Sequence, residues 1–139
     1  MKDVSLPLRV AYFNKLIAIG LKVYEEGAVP DDATTPYVVI TGQLANEQSN
    51  KTDFGHKAYV LLDIVTSTLK NSAGGSKGAD LIASQILAVI NSKTKLVIND
   101  DLQAVKIKLV EDNKLNSLSD TESIYRRLLR FEHIIRQLN

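Results

Sequence analysis

Along the first stretch of the chain the apolar side chains fall at helical intervals. Leu6, Val10, Phe13 and Ile17 recur at i, i+4, i+7 and i+11, with Lys2, Arg9 and Lys15 mostly off that stripe, which predicts an amphipathic helix burying the Leu6–Ile17 face. Ser5 is placed to cap its start, Pro7 comes early enough to be tolerated, and Gly20 suits the left-handed conformation of a helix end. Tyr12, Phe13 and Ile17 are read as core. A short β-prone piece, Leu21 to Glu25, leads into Gly27, Pro30, Asp31, Asp32 and Pro36, a cluster that forbids regular structure.

Period-two patterning follows. Tyr37-Val38-Val39-Ile40-Thr41 is β-branched and aromatic and lies between Pro36 and Gly42, so it predicts a buried strand. Ala45 to Asp53 is polar and predicts an exposed hairpin loop. From His56 to Thr68 the chain is strand-like, with Ala58, Val60, Leu62 and Ile64 on one face and Tyr59, Leu61 and Val65 on the other. Apolar residues on both faces predict a central strand covered on each side.

The stretch from Asn71 to Gly78 breaks the pattern, and Ala79, Ile82, Ala83, Ile86, Leu87 and Ile90 then give the clearest helical period in the sequence. Ser76 is its expected N-cap, and Asp80 suits the positive end of the dipole. Leu96 to Ile98 is a short apolar piece and Asn99-Asp100-Asp101 a turn. Val105, Ile107 and Leu109 alternate with Lys106 and Lys108, as a strand with one wet face requires. Asp112 to Asp120 predicts a second exposed loop. The last segment, Ile124 to Leu138, fits two templates. Ile124, Leu128, Phe131, Ile135 and Leu138 suit a helix; Tyr125, Leu129, Phe131 and Ile135 suit a strand face with Arg126, Arg130 and Arg136 opposite. Residue propensity leans slightly to the helix. The expected fold is α+β, a mainly antiparallel sheet with two helices packed against it.

Length and composition narrow the class. With 139 residues, 45% hydrophobic and 24% charged, the chain has the make-up of one globular domain spanning residues 1–139. The net charge of +1 gives no drive toward non-specific binding of nucleic acid or membrane. The lack of cysteine excludes thiolate zinc sites, disulfide scaffolds and thiol nucleophiles together. No apolar run reaches the roughly 20 residues of a membrane span, and Met1-Lys2-Asp3-Val4-Ser5 does not read as a secretory signal. A protein soluble where it is made is the expectation.

Candidate chemistry is sparse. His56 and His133 have no His or Glu at metal-binding spacing, so both are read as structural or exposed and no metal site is expected. Gly74-Gly75-Ser76-Lys77-Gly78 ahead of a helix is the one segment suited to a phosphate, yet it has neither P-loop nor dinucleotide spacing. Asp31-Asp32 and Asp100-Asp101 are explained by turn chemistry. No serine sits in Gly-x-Ser-x-Gly. No catalytic residue, cofactor or enzymatic role is expected.

The most unusual charge feature is Arg126, Arg127, Arg130 and Arg136, four of the five arginines. Three readings apply to it: a solvated face, a subunit contact, or, least favoured because Glu132 interrupts the face and no aromatic stacking pattern accompanies it, nucleic-acid binding.

The order of these signals resembles the tail-completion proteins of long-tailed bacteriophages, the tail terminators or tail-to-head joining proteins. The likeness spans most of the chain. It rests on the N-terminal helix, Val23-Tyr24 and the Pro-containing loop into Pro36-Tyr37-Val38-Val39-Ile40, the long strand ending near Thr66, and a helix opening on Ala79-Asp80-Leu81-Ile82-Ala83. The closing Tyr125-Arg126-Arg127-Leu128-Leu129-Arg130-Phe131 segment completes it. These are packing motifs. The resemblance implies that the closing segment is a strand, giving the order α-β-β-β-α-β-β-β.

It further implies a structural virion protein at the tail–head junction, assembled in the bacterial cytoplasm. Its copies would form a homo-oligomeric ring, usually a hexamer, that caps the tail tube protein, meets a head connector or stopper protein, and leaves a pore for DNA to pass without specific binding. A pore lined with many cations would grip phosphates, so the near-zero charge suits that task. Expected contact residues are Arg126, Arg127 and Arg130, with Asn46, Gln48, Asn50 and Lys51 of one polar segment and Asn113 and Lys114 of the other. A head-closure or other connector ring subunit, or a small anion-binding regulatory α+β domain using Gly74 to Gly78, are the alternatives.

Overall fold

The computed structural model describes residues 1–69, 75–94, 96–118 and 121–138. Its elements are α1 (Ser5–Ala18), β1 (Val23–Glu25), β2 (Tyr37–Glu47), β3 (Gly55–Leu69), α2 (Lys77–Val89), β4 (Leu96–Val97), β5 (Leu102–Leu118) and β6 (Glu122–Gln137). The element order is the expected α-β-β-β-α-β-β-β. The strands form one six-stranded sheet in the order β1-β2-β3-β6-β5-β4. Only β1 pairs in parallel, against β2; the other pairings are antiparallel. This is an α+β fold with a mixed, mostly antiparallel sheet.

Both helices cover the same face of that sheet. Leu8, Tyr12 and Leu16 of α1 and Ala79, Ile82, Ala83 and Ile86 of α2 share one core with Val38, Ile40, Val60, Leu62, Ile64, Leu129, Phe131 and Ile135. Alternation within strands assigns every second residue to that face. The opposite face holds Val39, Tyr59, Leu61, Leu128 and Ile134, all only half-buried, and no described helix packs over it. The expectation of cover on both sides of β3 is therefore corrected in part: no described helix packs over its second face, where Val65 and Asp63 are nonetheless buried and Thr35, from the segment before β2, bonds to Ser67 at 2.6 Å.

The face of α1 is also reversed from expectation. Leu8, Ala11, Tyr12 and Leu16 are buried, whereas Leu6, Val10 and Ile17 are 53%, 47% and 46% exposed. At 100° per residue the two stripes lie on opposite sides of the helix, so periodicity alone could not choose between them. Phe13 is half-buried against the core edge. Neither expected cap forms: the Asp3 carboxylate, not Ser5, accepts the amides of Ser5 and Leu6 at 3.2 and 3.3 Å, and Ser76 makes no side-chain cap bond. Gly20, at φ +87°, does end the helix, its amide bonding to Ile17 O at 2.9 Å while Leu21 bonds to Leu16 O at 3.2 Å, a Schellman closure.

Strands replace much of both predicted loops. β2 continues to Glu47 through a register shift between Thr41 and Leu44; Gly42 there takes φ +57°, a left-handed bulge that lets the ladder resume. Only residues 48–54 turn. Likewise β5 runs to Leu118 and pairs with β6 all the way to Ser123, so residues 112–118 form a strand; 119 and 120 lie outside the described residues, as do 71–74 of the predicted break. Polar residues hold a strand here because backbone pairing, not burial, satisfies them. A second shift between Ala104 and Lys106 turns Val105 out, leaving it 55% exposed where alternation predicts burial. β6 is a strand throughout, against its helix propensity, because two neighbours pair with it along nearly its whole length.

Candidate functional site

β6 carries the arginine cluster, and its pleat splits the cluster between the two faces. Arg126 and Arg130 point to the open face. Arg127 points to the helix face, between α2 and β5. Its guanidinium donates to both oxygens of Asp112 at 2.9 and 2.7 Å and to Asp80 at 3.1 Å; Lys114 also reaches Asp80 at 3.2 Å. The Lys114 and Arg127 bonds hold the Asp80 and Asp112 carboxyls below the usual range. This four-residue network joins the first turn of α2 to the long β5–β6 hairpin.

On the open face, Arg126 pairs with Asp63 through two bonds, the Nε bond measuring 3.2 Å and the Nη2 contact being shorter. Asp63 is 8% exposed, so Arg126 neutralises a nearly buried carboxylate from the neighbouring strand. Arg130 meets Glu111 at 3.4 Å. Glu132 accepts from Tyr59 at 3.1 Å, with Lys57 4.0 Å away. Rows of ion pairs thus alternate with Leu61, Leu128 and Ile134, and the β2 bulge opens a shallow groove lined by Gly42, Leu44, Tyr59, Glu111, Arg130 and Glu132.

The remaining expected contact residues are dispersed. Asn46, next to the last residue of β2, lies opposite Lys57. Asn50 closes its own turn, its Oδ1 accepting the amides of Thr52 and Asp53 at 2.9 and 2.8 Å. Gln48 and Lys51 are exposed beside it, and Arg136 donates to Gln48 O at 3.4 Å. Asn113 donates to Glu111 at 2.6 Å. Gly55 pairs with Arg136 and Val65 with Arg126, a ten-residue interval along β6 that separates the Gln48 turn from the Arg126 end by about 33 Å. The structure brings Arg127 and Lys114 together and keeps Asn46, Gln48, Asn50 and Lys51 at the other end of the sheet.

The segment ahead of α2 is described only from Gly75 onward. Its Gly74 lies outside the described residues, and Asp80, in the first turn of α2, adds a negative charge there while its carboxylate is taken up by Lys114 and Arg127. His133 is a satisfied core residue, as read: it is fully buried and bonded on both nitrogens. His56 is also buried. Among the described residues no group of three His, Asp or Glu side chains is placed to hold a metal ion, and no helix is long and apolar enough to cross a membrane. Sequence reasoning missed two surfaces. The outer stripe of α1 was legible but assigned to the core; the end of the sheet, where Leu69 and Leu118 are 70% and 76% exposed, was hidden by reading residues 112–120 as loop.

The architecture is that of a one-sided α+β domain with an extended hairpin. A chain of similar fold occurs in a solved structure described as the virion of a native gene transfer agent particle, with a TM-score of 0.70, 18% identity, and coverage of 93% of this chain and 94% of that one. A second solved chain, whose description states no function, superposes at a TM-score of 0.53 with 10% identity over 95% of this chain and 96% of its own length. At these identities the likeness establishes the fold. No protein-family profile matches the chain, and no curated protein sequence matches it.

Proposed function

We propose that the chain is a structural subunit of a tailed virion or virion-like particle. In this reading its copies form a closed ring, with six as the expected number, that caps the tail tube, meets the head connector at the tail–head junction, and leaves a pore for DNA. The observation that carries it is the near end-to-end agreement in fold with a chain of a gene transfer agent virion, 93% of this chain on 94% of that one. The surface supports the reading. Among the described residues one sheet face is free of helices, the β5–β6 hairpin is long, and Arg126, Arg127 and Arg130 are each paired with a carboxylate. Such a subunit works through shape, its contacts made and broken without covalent chemistry.

Arg130 and the polar residues Asn46, Gln48, Lys51 and Asn113, all at the surface, are proposed as contacts with neighbouring copies, the tube or the connector; Arg126, Arg127, Asn50 and Lys114 first serve the fold of the subunit. The test is purification of particles with and without this gene product. The reading expects tails that lack the chain to be irregular in length or unjoined to heads, and the chain to be present in intact particles as a ring at their junction. Normal particles without it would remove the reading.

A further inference from the structure

The two sides of the sheet carry free charges of opposite sign. On the β1–β2 side, residues 23–50 hold Glu25, Glu26, Asp31, Asp32 and Glu47 and no Lys, Arg or His. Glu25 pairs with Arg9, Glu47 accepts from Ser49, and Lys22, the nearest cation in sequence, donates to Thr34 at 2.5 and 2.8 Å. Glu26, Asp31 and Asp32 are exposed and their side chains have no partner among the described residues. On the other side, β5 meets β4 only at Gln103 and Ala104, and no described strand covers the rest of its outer edge. Lys106 and Lys108 stand on that stretch, exposed and without a partner among the described residues. Glu132, opposite Lys108, is already held by Tyr59 and Lys57, and Glu111, Asp112 and Lys114 of β5 are paired with Arg130, Arg127 and Asp80.

Both groups lie toward the open face. Lys106 and Lys108 share it with Ile134 and Glu132 through their register, and Thr35, in the same loop as Asp31 and Asp32, bonds to Ser67, which alternation from Asp63 and Val65 sets on that face. Within one copy they stay apart, because β1 and β5 are four strand spacings from each other in the sheet, about 19 Å. A twofold contact through either side would set lysine on lysine or carboxylate on carboxylate. A head-to-tail contact joins them, and when its rotation closes it generates a ring.

The β5 edge also selects the kind of group that docks. Register shifts flank the lysines, one between Ala104 and Lys106 and one between Leu109 and Glu111, and bulges with edge lysines keep an added strand away. A loop bearing carboxylates meets no such obstacle. Val105 and Val110, 55% and 39% exposed, and the exposed Ala28 and Pro30 of the loop supply apolar area beside the charges.

We infer that the acidic loop 26–32 of one copy docks on the β5 edge of the next, its carboxylates on Lys106 and Lys108. The inference rests on the ring reading and names its contact; the opposed charges fix the polarity of the junction as well as its affinity.

The test is a charge-reversal cycle on the full chain, read by native mass spectrometry and sedimentation across a concentration series, with thermal melts as the folding control. One variant carries Lys106→Glu and Lys108→Glu, the other Asp31→Lys and Asp32→Lys. Each sets like charges against each other at every junction and is expected to weaken self-association about tenfold or more with an unchanged melt. The chain with all four substitutions, whose junctions again join unlike charges, is expected to regain association to within about threefold of wild type. A two-residue variant that associates like wild type, or a four-residue variant as weak as the two losses combined, overturns this contact while wild-type rings leave the ring reading intact. A lysine variant that associates normally and has lost binding to a short DNA duplex gives the lysines to nucleic acid and also overturns it. A wild-type chain that stays monomeric overturns both. If a reversed variant melts early, Lys106→Gln with Lys108→Gln, or Asp31→Asn with Asp32→Asn, replaces it: weaker association is expected, and association equal to wild type overturns the contact.

Discussion

Tyr12 Oη lies 2.5 Å from His133 Nε2, a buried bond between the middle of α1 and the centre of β6. The other ring nitrogen, Nδ1, lies 3.0 Å from Ala58 O, an acceptor only, so Nδ1 carries the proton and Nε2 accepts from the tyrosine. The ring is therefore neutral in the folded state, and burial lowers its pKa from 6.5 to about 4.

That shift makes stability fall in acid. The unfolded chain binds a proton on His133 below its ordinary pKa of 6.5 while the folded chain does not until about 4, so the unfolded state gains protons across that window. The contribution is full above pH 6.5 and is lost progressively as pH drops to about 4, an upper bound of about 3 kcal/mol. Chemical-denaturant midpoints measured between pH 7 and 4 should fall, and His133→Gln should flatten the profile through this range while lowering its plateau.

Replacing Tyr12 by phenylalanine removes the donor and leaves Nε2 buried without a partner. The expected loss is about 1–3 kcal/mol, read as a lower melting temperature, with the helix content of the folded state unchanged by circular dichroism.

Arg126 and Arg130 look alike in sequence and differ in the fold. Removing Arg126 strands Asp63, which is 8% exposed, whereas the Arg130 and Glu111 side chains are 42% and 41% exposed. Arg126→Ala should cost about 2 kcal/mol or more and Arg130→Ala about 0–1 kcal/mol. Melts of the two variants should separate; equal losses would place the two arginines on the same footing.

Gly42 is held by its conformation and by space. At φ +57° a Cβ would also sit 3.0 Å from Leu61 Cβ, so Gly42→Ala should destabilise by about 1–2 kcal/mol. Hydrogen exchange should locate the loosening in β2 beyond Thr41 and its partners in β3.

Much of this fold is written in local pattern. Val38, Ile40, Val60, Leu62 and Ile64 announce two core strands, and Ala79 to Ile90 announces α2, because each has one buried face and a clear period. What is not legible depends on pairing and on partners. Residues 112–118 are polar enough to read as loop, yet β6 gives their backbone a ladder. The α1 helix is apolar on both sides, and its sequence cannot say which side meets the sheet; the choice follows from Tyr12 reaching His133, 121 positions away. The arginine cluster was visible, but its division into an Asp63 pair, an Asp80–Asp112 network and a surface pair with Glu111 needed the register of β6 against β3 and β5.

If this chain is, as proposed, a ring subunit at one end of a tail, electron cryo-microscopy of the particle encoded with it will reveal where it sits. A closed ring of density is expected between tail tube and head connector, into which this six-stranded domain fits in several symmetric copies. Complete, joined tails with no density of this fold at that junction would refute the proposal.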